Sequence, residues 1–115
     1  MNSKYITTLP PDMQPIAAIF AALGDEIRQR ILLLFQEGEE LSIKDIASQF
    51  NLGRSTVVHH LAVLEKANIL VVRRAGKLAL YCARPDVVLA ALESLREYIE
   101  EEYPVTTREN RRNKP

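Results

Sequence analysis

The stretch from Ser42 to Ala67 constrains this chain more than any other, because it spells two helical segments divided by a three-residue turn. Ser42-Ile43-Lys44-Asp45 has capping-box spacing, in which the Ser42 hydroxyl meets the Asp45 amide and the Asp45 carboxylate reaches back. A short helix over residues 43–50 is expected from it. Asn51-Leu52-Gly53 supplies residues that tolerate left-handed backbone. A second helix over residues 54–67 follows, with Val57, Leu61 and Leu64 on one side. Asn68 then stands where a left-handed residue commonly closes a helix.

On the N-terminal side, Asp12 is the expected cap of a helix starting near Met13, and Pro15 sits harmlessly in its first turn. Ile16, Ile19, Phe20 and Leu23 form one apolar stripe, and Gly24 ends it. Asp25 caps a second helix carrying Ile27, Ile31, Leu34 and Phe35, widened by Leu32 and Leu33 and stopped at Gly38. From Ile69 the apolar period falls to that of strands. Residues 70–74 and 78–83 read as a β-hairpin with Gly76 in its turn and Arg73, Arg74 and Lys77 near its tip. Pro85-Asp86 opens a final helix striped by Val88, Leu92, Leu95 and Ile99, ending before Pro104. The reading is an N-terminal extension over 1–11, one domain over 12–103, and a basic tail over 104–115 expected to be disordered.

The 115 residues fit a single domain, small enough that part of the apolar surface is expected to serve a partner chain. No apolar run approaches the ~20 residues of a membrane span, and MNSKYITTLPPD lacks a signal core. The expectation is a cytoplasmic protein without membrane contact. One cysteine, Cys82, permits no intrachain disulfide, and no Cys/His spacing suits zinc. Cys82 reads as a small, half-buried hydrophobe; a redox role would need an exposed low-pKa thiol and a partner from another chain. His59 and His60 are adjacent, so they point about 100° apart on a helix and cannot chelate one ion. With no nucleophile–base pairing and no glycine-rich phosphate loop, neither an enzyme, a cofactor nor a metal site is expected.

Fifteen basic residues balance fifteen acidic ones, yet the charge is partitioned. Residues 37–53 carry −3, 54–85 carry +5, 86–103 carry −5 and 104–115 carry +3. A cationic segment between acidic ones suits a face that meets a polyanion. Helix, turn, helix and basic hairpin together describe a mainly α, winged helix-turn-helix domain: four helices, a β-hairpin and a fifth helix. The DNA major groove admits one helix whose first turn faces base edges, and Arg54, Ser55, Thr56 and His59 occupy that turn. Arg73, Arg74 and Lys77 suit phosphates or the minor groove. His60 is expected to pack.

The wording also resembles the ArsR/SmtB family of bacterial transcriptional repressors, from about Ile16 to Tyr98. AALGDEIRQRILLLF resembles the family's second helix, LSIKDIASQFNLGRSTVVHHLAVLEKANIL its helix-turn-helix and VVRRAGKLALYCARPD its wing; STVVHHLAVLEKANIL is the most specific part. The resemblance implies a homodimeric repressor on a pseudo-palindromic operator. It adds Val58 to the DNA-facing set of Arg54, Ser55, Thr56, His59, Arg73, Arg74 and Lys77. It also assigns the dimer interface to the first and last helices, through Ile16, Ile19, Phe20, Val88, Leu92, Leu95 and Ile99. Two departures stand out: Gly53 replaces a frequent serine cap, and Val58 a common serine. The family's metal sites do not carry over, since LSIKDI has no cysteine and Asp86 is followed by two valines. Competing readings are an adaptor of the same fold that reads no DNA, a metal- or redox-sensing repressor acting through Cys82, and a MarR-like or other winged-helix regulator, told apart by which helices form the dimer. The +5 segment argues against the adaptor.

Overall fold

The computed structural model describes Met1 and residues 3–104. In chain order these form α1 (Gln14–Leu23), α2 (Glu26–Leu32), β1 (Glu40–Ser42), α3 (Ile43–Ala47), α4 (Arg54–Lys66), β2 (Leu70–Ala75), β3 (Leu78–Ala83) and α5 (Pro85–Glu102). The sheet is antiparallel, in the order β1-β3-β2. The described residues thus have the expected helix-turn-helix, wing and final helix. The tail, from residue 105 on, lies outside the described residues.

Local signals hold where the chain's own neighbours decide. The Asp25 carboxylate accepts from the Arg28 amide at 3.1 Å and starts α2. Ser42 and Asp45 form the reciprocal box: Ser42 N–H donates to Asp45 Oδ2 at 2.9 Å, and Asp45 N–H to Ser42 Oγ at 3.1 Å. These bonds, the Ser42 amide foremost, hold the Asp45 carboxyl below its usual range. Asn68 adopts φ 63°, and Gly76 turns the wing at φ 62°.

Four expectations are corrected. The cap of α1 is Met13, with no side-chain bond, and not Asp12. α2 ends at Leu32 and does not run to Gly38, because Leu34 and Phe35 bond back three residues, to Ile31 and Leu32, tightening the chain out of α geometry. α3 likewise stops at Ala47 and not at residue 50: the Gln49 and Phe50 amides reach back three residues, and the Ser48 hydroxyl takes the Asp45 carbonyl. The hairpin is also joined by a third strand, β1, pairing Glu40 with Cys82, Leu41 with Tyr81 and Ser42 with Leu80.

The core joins every layer. Ile31 of α2, Ile46 of α3, Val57, Leu61 and Leu64 of α4, and Ile69 and Leu70 at the wing's base are fully buried, and among the described residues no polar side chain is buried with them. Three of these residues pin one side of α4, so its opposite side is presented outward.

Because the capping box fixes the chain's entry into α3, Ser42→Ala is expected to destabilise the fold by about 1 kcal/mol. Thermal unfolding followed by circular dichroism should show a midpoint lower by roughly 4 °C. Asp45's lowered pKa means that its contribution is present at neutral pH and is lost as pH falls through that value. The gap between wild type and variant should therefore narrow in acid.

Candidate nucleic-acid interface

α4 begins at Arg54 after Gly53, whose carbonyl takes the amides of Thr56 and Val57 at 3.1 and 3.2 Å. With Val57 in the core, Arg54, Ser55, Thr56, Val58 and His59 are all exposed. The first two turns of α4 thus offer a guanidinium, two hydroxyls, an imidazole and a branched methyl pair to an incoming ligand. His60 lies on the other flank, half-buried, and its Nδ1 is 3.2 Å from Arg28 Nη1. Arginine only donates, so in this contact the Nδ1 is the acceptor.

Arg28 is a structural residue that sequence reasoning missed. Its Nε donates to the Ala22 carbonyl at 2.6 Å and its Nη2 to the Ala21 carbonyl at 3.2 Å. One side chain thereby joins the end of α1, the start of α2 and the middle of α4. A cation there also suits the negative end of the α1 dipole. No local pattern reveals this role, since two partners are carbonyls across the α1–α2 turn and the third, His60, is 32 residues away.

The wing's two arginines part company. In β2, Arg73 pairs with Leu80 and Arg74 with Ala79, so they face opposite sides of the sheet. Arg74 joins Lys77, Arg54 and Lys44 in lining one cleft of about 320 Å³ between α3, α4 and the wing. Lys44 was hidden inside the capping-box motif and went unnoticed as a cation of the site. Among the described residues, none of these four forms an ion pair. Arg73 stays apart: its guanidinium grips Glu40 through two parallel bonds, Nε to Oε2 at 2.5 Å and Nη2 to Oε1 at 2.8 Å. Arg84 is bound to Asp86, and Arg96 to Glu93 and Glu100. Such local pairing leaves the four-cation cleft as the site where unneutralised charge converges.

The interface residues assigned to the first and last helices fall into two groups. Ile19 is buried in the chain's own core, so it is not available to a partner. Ile16, Phe20, Val88 and Leu95 are half-buried, whereas Leu92 and Ile99 are 46% and 42% exposed, and Leu89 beside them 65%. Cys82 is half-buried. Among the described residues no group of His, Cys, Asp and Glu has a metal-holding arrangement, and no helix is long and apolar enough to cross a membrane.

Comparison with known proteins agrees with this geometry. A family model described as a helix-turn-helix domain matches residues 23–73. The chain is 28% identical over 81 residues to the transcriptional repressor SdpR of Bacillus subtilis, covering 70% of this chain and 89% of that one. It is 30% identical over 79 residues to the arsenical resistance operon repressor of Escherichia coli, covering 69% and 68%. An ArsR-like transcriptional regulator from Rhodococcus sp. RHA1 shares the fold with a TM-score of 0.75 at 20% identity, over 91% of this chain and 98% of that one. On this sequence and structural likeness, the chain belongs to the ArsR-type family of helix-turn-helix transcriptional regulators.

Proposed function

We propose that the protein is a homodimeric repressor that reads a pseudo-palindromic operator in duplex DNA. The observation that carries this reading is the convergence of Lys44, Arg54, Arg74 and Lys77 on one cleft beside the exposed first turn of α4. A helix end flanked by unpaired cations suits a major groove bordered by phosphates. Arg54, Ser55, Thr56, Val58 and His59 face base edges, where the valine methyls suit a thymine methyl. Lys44, Arg74 and Lys77 hold the backbone. The repressors named among the relatives support repression: occupancy of a promoter excludes polymerase.

Dimerisation is proposed through α1 and α5. Leu89, Leu92 and Ile99 are too exposed for a lone chain to gain from them, and Leu89 also lines an apolar cleft of about 620 Å³ with Phe35 and Val88. Two-fold symmetry would set two recognition helices about 34 Å apart, one helical turn of DNA. The arsenical part of the Escherichia coli relative's name does not transfer, because soft-metal sites require several thiolates and this sequence has one cysteine. The domain is proposed to span residues 12–103 and to act in the cytoplasm, where its DNA lies, under a signal other than a thiolate-bound metal.

Salt dependence tests the cationic cleft. If all four cations of both protomers meet phosphates, the slope of log affinity against log salt should approach about −7, and Arg54 on a base instead should bring it nearer −5. Lys44→Ala should weaken binding to all duplexes alike and flatten the slope by about 2 for the dimer. Anisotropy titrations from 50 to 300 mM salt measure both. A slope unchanged by Lys44→Ala would remove Lys44 from the interface.

A further inference from the structure

We propose that Glu40 is an affinity-setting residue, a brake that holds Arg73 in reserve and keeps it off the DNA backbone. The inference rests on the DNA-reading function above and names a residue which that reading does not use. The register places Glu40, Cys82 and Val71 in one row across the sheet and Ser42, Leu80 and Arg73 two rows on, past the row of Leu41, Tyr81 and Val72. Partners in a row share a face, and residues two apart on a strand share it too. Glu40 and Arg73 therefore stand on the same face, two rows apart, with β3 between them. The gap is closed by the fork of two bonds, at 2.5 and 2.8 Å.

Arg74, one residue on, is on the opposite face with the cationic cleft. Arg73 thus carries its charge in the wing on the face away from that cleft, and its donors are committed to a carboxylate. The carboxylate is available for this pairing at physiological pH, because the hydrogen bonds from Arg73 hold the Glu40 carboxyl below its usual range. The pairing is also weak enough to be exchanged. The two side chains are 59% and 35% exposed, where water and salt screen an ion pair. A phosphodiester offers the same bidentate pair of oxygens to the same fork. Glu40 and DNA accordingly compete for one guanidinium, and carboxylate capture subtracts from binding affinity without touching any base.

A double-mutant cycle on the full-length protein tests this, using wild type, Glu40→Gln, Arg73→Gln and the double variant. Circular dichroism first establishes that each is folded, and each is then titrated by anisotropy against one 30-base-pair duplex over a range of salt. With Arg73 present, Glu40→Gln is expected to tighten binding about 5-fold and to steepen the log–log salt slope by about 1 for each arginine released. With Arg73→Gln in place, the gain and the steepening should both disappear. Equal gains in the two backgrounds would mean that Glu40 acts only by its own repulsion of phosphate, and would overturn the brake. Unchanged or weaker binding by Glu40→Gln would overturn it too, making Glu40 a support for Arg73. Wild type that binds no duplex at any salt would sink the DNA-reading function and the brake together, whereas the other two outcomes leave that function standing.

Discussion

Leu92→Glu is expected to convert the proposed dimer to a folded 13.0 kDa monomer and to abolish tight operator binding. Leu92 lies mid-way along α5, 46% exposed in the single chain, so a carboxylate there costs the isolated fold little. In the proposed dimer the same carboxylate would be pressed against the partner's apolar stripe, and burying an unpaired charge is severely unfavourable. The loss would extend to DNA. Two half-sites joined in one dimer bind as a tethered pair, with avidity some 10² to 10⁴ above one half-site alone. Sedimentation and anisotropy on one preparation would therefore show the halved mass together with at least a 100-fold loss in affinity. An unchanged dimer would move the interface off α5.

The second large effect belongs to Arg54. It is the first residue of α4, exposed, cationic and without an ion pair among the described residues. A guanidinium at the leading end of a recognition helix can bond both O6 and N7 of a guanine. Arg54→Ala should cost operator binding about 1 to 3 kcal/mol, roughly 5- to 150-fold, and relax preference at one base pair of each half-site. Lys77→Ala, in the wing's turn, should weaken operator and random duplex equally. Titration of both variants on both duplexes separates base reading from backbone holding. Equal losses for Arg54→Ala on the two duplexes would reassign Arg54 to phosphate.

The parts of this fold that were legible in the sequence are those decided within a few residues. The Ser42–Asp45 box, the Asp25 cap, left-handed Asn68 and the buried side of α4 each follow from local spacing. β1 escaped because three residues carry no readable period and its pairing with β3 spans about forty positions. The early ends of α2 and α3 escaped because amides bonding back three residues, and the Ser48 hydroxyl, compete with α geometry in ways that apolar spacing does not record.

The site was legible to a similar depth. The exposed first turn of α4 could be read because its buried side was identifiable from Val57, Leu61 and Leu64. Grouping Arg73, Arg74 and Lys77 at the wing took no account of strand alternation, which sends the two arginines to opposite faces and hands Arg73 to Glu40. Lys44 was absorbed into a capping motif, and Arg28 revealed nothing until α1, α2 and α4 came together around it.

The central claim is that a dimer of this chain reads a specific duplex sequence through α4. Selection from a random-sequence duplex library, followed by anisotropy titration of the recovered sequence against a shuffled duplex at near-physiological salt, tests it most directly. The account predicts recovery of an inverted repeat with half-sites one helical turn apart, bound at least 10³-fold more tightly than the shuffled control. Recovery of no sequence, with every duplex bound equally, would contradict it.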